Sequence, residues 1–137
     1  MIAYCEYFYN FAALISIVNL KRMNKKRRNV LRKVIAGLMK LRDPIDKKAA
    51  MQILKDAQSQ VETCMDEEDD CLDSLPENLA WSARSTDMAD NISDLGEVNS
   101  NLEIAIDELG ESKKYDYGKI KQTVIDAIHT LNSVIYR

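Results

Sequence analysis

Two stripes in the middle of the chain, mirrored about Trp81 and Ser82, restrict this sequence to helical architectures. The first runs Leu54, Ala57, Val61, Cys64, Glu68, Cys71, Leu75, and the second runs Met88, Ile92, Leu95, Asn99, Leu102, Ile106, Leu109. Steps of three and four residues place each set on one face of a helix. Folding the chain back at the mirror point sets Leu75 against Met88, Cys71 against Ile92, Val61 against Leu102 and Leu54 against Leu109. Residues 54–109 are therefore expected to form a long antiparallel helical hairpin with coiled-coil-like packing. Glu68 and Asn99 interrupt the apolar seam, one step out of register with each other.

The rest of the chain fits an all-α class. It has 137 residues, 46% of them hydrophobic and 30% charged, which is the make-up of one ordinary globular domain. Four glycines and two prolines leave little room for loops, and strand-type alternation is absent. The expected organisation is an apolar leader over 1–22 and one helical domain over 23–137. That domain divides into a basic helix at 24–42, the hairpin at 44–110 and a C-terminal helix at 116–136. In the basic helix, Val30, Leu31, Val34, Ile35, Leu38 and Leu41 share a side, with Arg28, Arg32, Lys33 and Lys40 largely outside it. Asp43 is suited to cap the next helix, with Pro44 at its first position and Asp46 three residues after the cap. Pro76 stops the incoming helix, Ser85 or Thr86 can cap the outgoing one, and Gly110 suits its end. After the linker Glu111 to Asp116, the residues Tyr117, Ile120, Val124, Ile128, Leu131 and Ile135 mark the last amphipathic helix. Ala50, Ile53, Met65 and Leu72, and on the return Val98, Ile104 and Ala105, make the hairpin stripes too wide for two helices to bury. The basic helix, the C-terminal helix or a second copy must cover what remains.

The net charge of -3 conceals segregation. Residues 21–48 hold 12 basic residues against two acidic, residues 49–111 hold two against 17, and residues 112–137 hold five against two, giving +10, -15 and +3, with Glu6 supplying the remaining -1. Opposite blocks can neutralise each other by folding together, so the total says little about the surface left for partners.

The leader carries Tyr4, Tyr7, Phe8, Tyr9 and Phe11, and its positive charge follows the apolar run, opposite to a secretory signal. Glu6, Asn10, Ser16 and Asn19 interrupt it, leaving far fewer than the ~20 apolar residues of a membrane span. Three readings stand: upstream codons before a start at Met23, a packed amphipathic helix, or an anchor flanked by Lys21, Arg22 and Lys25 to Arg28. No membrane association is expected unless the leader is an anchor. Cys5, Cys64 and Cys71 are odd in number and not spaced for metal, and Cys64 and Cys71 lie about 10 Å apart on one helix, beyond disulfide reach. A reducing cytoplasm is the expected location.

The distinctive local chemistry lies at the hairpin tip, where Trp81 is expected to close the core with Leu75 and Leu79. The acidic helix from Asp66, the run Leu75-Pro76-Glu77-Asn78-Leu79, then Ser82 and Arg84, and the apolar-acidic helix Asn101 to Asp107 resemble a family of short proteins from bacteriophage and prophage genomes of gut bacteria. Members commonly open with Met-Asn-Lys and a basic stretch, as Met23 to Arg28 does. The similarity covers mostly residues 23–109, and its specific part is the Pro-Glu-Asn-Leu tip. Ala83 stands where an acidic residue is usual, and the leader and the helix after Gly110 are departures. The resemblance implies a viral or prophage setting and a hairpin, and no catalytic residue.

No glycine-rich phosphate loop, Cys/His metal spacing or nucleophile signature is present, and no cofactor is expected. His129 sits beside the last stripe and is expected to be partly buried and structural. Asp66, Glu67, Glu68, Asp69, Asp70 and Asp73, with Asp87, Asp90 and Asp94 opposite, resemble the carboxylate-rich helices of all-α Mg²⁺-dependent nucleotide pyrophosphohydrolases. Only Glu68 falls on the seam, however, and that reading is the least favoured. The basic helix shows no base-reading set of Asn, Gln and Arg, so no specific nucleic acid is expected. Two binding functions remain: a small non-catalytic interaction or assembly protein, homodimeric in one form, or an acidic mimic of nucleic acid that inhibits a host enzyme. The residues singled out for structure or interaction are Glu68, Asn99, Pro76, Leu79, Trp81 and Arg84. Of these, Glu68 is expected to dock the basic helix, with Arg84 too far along the rod to help. Glu68→Leu is then expected to stabilise the hairpin while loosening that helix.

Overall fold

Four side chains decide where the helices begin, each accepting one of the amides that a first turn leaves without a partner. Asn24 accepts from Lys26, Asp46 from Ala49, Ser82 from Ser85 and Asp116 from Gly118. The computed structural model describes residues 23–79 and 82–137. The described residues form α1 (Lys25–Met39), continued by a 3-10 turn at Lys40–Arg42, then α2 (Lys47–Asp73), a 3-10 turn at Glu77–Leu79, α3 (Ala83–Glu111) and α4 (Tyr117–Tyr136). There is no strand among them.

Three caps differ from the sequence reading. Asp43 donates its amide to the Lys40 carbonyl at 3.0 Å, so it closes the turn behind it, and Asp46 opens α2 three residues later. Ser82 caps α3 in place of Ser85 or Thr86; Ser85 instead donates its hydroxyl back to the Ser82 carbonyl at 2.8 Å. Gly110 stays inside the last turn of α3, which ends at Glu111 with Ser112 as its cap. No described residue has the positive φ of a left-handed glycine cap. The carbonyls at this end are held by a side chain instead: Lys47 Nζ donates to the carbonyls of Gly110 at 3.2 Å and Ser112 at 2.7 Å, a cation at the negative end of the helix dipole.

Each helix packs against its neighbours in the chain, and α1 also packs against α4. These contacts close four helices into a ring around one core. Cross-contacts between α2 and α3 run in opposite senses, from Gln58 with Glu103 at 2.5 Å to Glu68 with Asn91 at 3.5 Å. The core joins Leu31, Val34, Leu38 and Leu41 of the first segment to Leu54, Ala57, Val61 and Cys64 of α2, to Leu95, Val98, Leu102 and Leu109 of α3, and to Ile120, Val124, Leu131 and Ile135 of α4. A smaller cluster lies toward the tip, where Leu72 and Leu75 pack on buried Cys71 and Met88.

The α2 stripe is buried as read, from Leu54 to Cys71, with Leu75 half-buried. On α3 the buried line is Arg84, Met88, Asn91, Leu95, Val98, Leu102, Ala105, Leu109. Ile92, Asn99 and Ile106 are displaced to half-buried positions. The reason is geometric: α3 packs on α4 as well as on α2, which turns the centre of its buried face toward Asn91, Val98 and Ala105.

No described helix is long and apolar enough to cross a membrane. The readings placed on residues 1–22 and on Trp81 lie outside the described residues, as does the Leu79 side chain; the Leu79 backbone belongs to the 3-10 turn. Pro76 is half-buried between α2 and that turn. Cys64 is a free buried thiol, but Cys71 is disulfide-bonded. The Cys71 bond is not to Cys64, in keeping with the helical spacing of the two.

Candidate functional site

Glu68 falls on the core-facing stripe of α2 and is fully buried. A lone carboxylate there would be prohibitively costly, and the surrounding helices supply its partners. Arg27 of α1, 1% exposed, donates Nε to Oε2 at 3.2 Å and places a terminal nitrogen 3.1 Å from the same oxygen. Arg84 of α3, 7% exposed, brings a terminal nitrogen to 3.6 Å from Oε1. Asn91 Nδ2 reaches Oε1 at 3.5 Å. Arg27 also lies 3.8 Å from Glu67 and 3.7 Å from the Cys71 sulfur.

The cluster extends to the fourth helix. Arg137, after α4, donates to Asn91 Oδ1 at 2.9 Å and to Asp94 at 2.6 Å. Three helices thus meet at Glu68 in one polar knot, and the residue that ends α4 joins them through Asn91. Burial, and to a lesser degree the neighbouring Glu67 carboxylate, push the Cys64 thiol up to about 12, with Arg27 opposing. Cys64 is therefore a neutral thiol at ordinary pH, not a nucleophile.

Glu68 and Arg84 of the sequence candidates meet directly, and the statement that Arg84 lies too far along the rod is corrected. Asn91 is the α3 residue level with Glu68; Arg84 lies two turns nearer the tip on the same buried line, and its long side chain spans that interval. The basic helix does supply a donor to Glu68, through Arg27. Asn99 lies apart from the cluster, half-buried beside the seam, with Oδ1 buried and without a hydrogen-bond partner among the described residues. His129 is exposed, correcting its reading as a partly buried side chain; Ala127, Leu131 and Val134 take the inward positions of α4.

Three residues have no place in the sequence reading as members of the knot: Arg27, Asn91 and Arg137. A signal for Arg27 exists in the spacing: Arg27, Leu31, Val34 and Leu38 form one continuous stripe. Asp66, Asp69, Asp70 and Asp73 are exposed. Among the described residues no group of three or more His, Cys, Asp or Glu side chains is placed to hold a metal ion.

Outside the core, charge divides by side. The exposed residues of α1 and its turn include Lys25, Lys26, Arg32, Lys33, Lys40 and Arg42, and α4, its neighbour in the ring, adds Lys119 and Lys121. The exposed faces of α3 and of α2 beyond Lys55 carry carboxylates, including Glu62, Asp66, Asp69, Asp70, Asp90, Glu97, Asp107 and Glu108. On the basic side, Met39, Tyr117, Ile125 and Ile128, with Arg42 and Lys121 beside them, line a groove of about 510 Å³. No protein-family model, curated protein or solved structure matches this chain.

Proposed function

We propose that this chain is a non-catalytic helical interaction module that binds a protein surface or further copies of itself, in a viral or prophage setting. The observation that carries the reading is the division of exposed charge between the α1/α4 side and the α2/α3 side of one bundle. Fields of opposite sign on two sides of a small protein steer it toward complementary surfaces and fix orientation at contact. The buried charges serve a different purpose: Glu68, Arg27 and Arg84 are taken up with one another inside the fold. In the finer form of the proposal, α2 and α3 are a coiled-coil-like hairpin that forms the spine of the module. The viral setting rests on the resemblance over residues 23–109, whose specific part is the Pro-Glu-Asn-Leu tip.

A second reading has its own observation. The exposed carboxylates of α2 and α3 form an acidic side that suits a mimic of duplex nucleic acid directed at a host enzyme. Both readings are tested by immobilising the full chain and passing over it a host lysate, or untagged chain, at low and high salt. The expected result is retention at low salt and release at high salt. Release of a lysate protein by added duplex DNA favours the mimic, while retention of untagged chain unaffected by DNA favours assembly. A chain that retains nothing under either condition contradicts both.

A further inference from the structure

Three large apolar side chains are conspicuously exposed among the described residues: Met39, Ile104 and Tyr136. Two of them sit in opposite electrostatic surroundings. Ile104, 48% exposed, projects from the outer face of α3, away from the buried line that contacts α2 and α4. Glu97, Asp107, Glu108 and Glu111 lie seven, three, four and seven residues from it, on the same face and all exposed. It is an apolar knob with Asp107 and Glu108 on the next turn and the uncharged Ser100 and Asn101 on the turn before. Met39, 45% exposed, lies in the groove between the end of α1 and α4, whose apolar floor is bordered by Arg42 and Lys121.

We infer that a second copy of this chain occupies the groove, seating its Ile104 against Met39, Tyr117, Ile125 and Ile128, with its Asp107 and Glu108 facing Arg42 and Lys121. The inference rests on the assembly reading above and specifies its surfaces. Charge complementarity selects the occupant: the groove needs an apolar residue beside acids, and the acidic side of this same protein carries one. The two surfaces are different patches on one molecule, so the contact is heterologous. It leaves a free groove at one end of a pair and a free knob at the other, and it propagates into a ring or an open chain.

The test is sedimentation velocity on the full chain at low and high salt, with two variants. Ile104→Asp removes the knob and keeps the groove, and Met39→Glu removes the groove and keeps the knob. Both positions are surface positions, and matching thermal melts check that the variants fold. Wild type is expected to form species larger than a dimer that shrink at high salt. Each variant alone is expected to associate roughly tenfold or more weakly, the scale of losing a central apolar contact. An equal mixture of the two variants is expected to form a one-to-one dimer and nothing larger, because one intact knob meets one intact groove. Wild-type association unchanged by either substitution overturns this contact while leaving the assembly reading standing. A wild type that stays monomeric at low salt overturns both the contact and self-assembly. A mixture that associates no better than its components overturns the heterologous pairing.

Discussion

Glu68 illustrates how a buried charge acts when its partners come from other elements. Two arginines and an amide engage its two oxygens, and the cost of removing one member is set by those left behind. Glu68→Leu leaves Arg27 and Arg84 in the interior with their carboxylate gone, and is expected to destabilise the whole protein by about 3 to 5 kcal/mol. The sequence reading, with the basic helix as the only donor to Glu68, expected this substitution to stabilise the hairpin while loosening that helix; Arg84 of α3, also on Glu68, reverses the expected sign for the hairpin. The combined variant Arg27→Met, Glu68→Leu, Arg84→Met is expected to recover most of that loss, because apolar groups of similar volume replace all three charges. Urea denaturation of the two variants decides: a Glu68→Leu protein as stable as wild type contradicts the role of the cluster. Cys64 gives a second prediction at this scale. Its folded pKa of about 12 lies above the ordinary 9.0, so the folded state holds the proton more tightly. The associated stability is fully present below about pH 9 and is lost as pH rises toward 12. Thiol labelling at pH 8 should therefore be slow in the native protein and rapid in urea. Prompt labelling of native Cys64 would show that the α2 seam is open there.

At the scale of elements, the helices and most of their buried faces were legible because periodicity reports directly on the side a helix buries. The α2 stripe needed no revision. The α3 stripe was read as facing a single partner, and the packing of α4 on its other flank turned the buried line onto Asn91, Val98 and Ala105. The widened stripe at Val98 and Ala105 signals a second neighbour but not which flank it covers, so the direction of the rotation depends on the tertiary packing of α4. Arg27 and Arg84 were present in the spacing all along, each four residues before the first apolar member of its stripe, Leu31 or Met88. The spacing alone does not mark them as core, because charged residues are seldom fully buried; Arg84 is singled out by its place near the tip and Arg27 by nothing local. The caps were misplaced where several polar residues compete within a few positions, as at Asp43 and Asp46, and only the hydrogen bonds separate them. The links between elements can be tested singly. Tyr115, in the connection from α3 to α4, donates its hydroxyl to the Leu41 carbonyl at the end of the α1 segment, and Lys47 holds the end of α3 from the first turn of α2. Tyr115→Phe and Lys47→Ala are each expected to cost about 0.5 to 1.5 kcal/mol. Hydrogen exchange should show the loss first as faster exchange near residues 39–42 and 108–112 respectively. Unchanged exchange in both places would mean these bonds do not hold the ends.

For the whole molecule, the segregated charge of the sequence takes on meaning only in the fold. The +10, -15 and +3 blocks become neighbours in a ring, so the basic first and last helices share one side and the acidic middle pair the other. The knot at Glu68 joins α1, α2 and α3 directly and the end of α4 through Arg137, and the core is continuous through the ring apart from the small cluster near the tip. The protein is therefore expected to open as one body, and not as a rigid hairpin with two loosely attached helices. The most direct measurement is native-state hydrogen exchange of the intact chain in low concentrations of urea, read peptide by peptide. If the account is right, the slowest amides of α1, α2, α3 and α4 converge on one opening reaction with a common dependence on urea. If α1 and α4 exchange through a cheaper opening while α2 and α3 keep their protection, the hairpin is an independent unit and the account is contradicted.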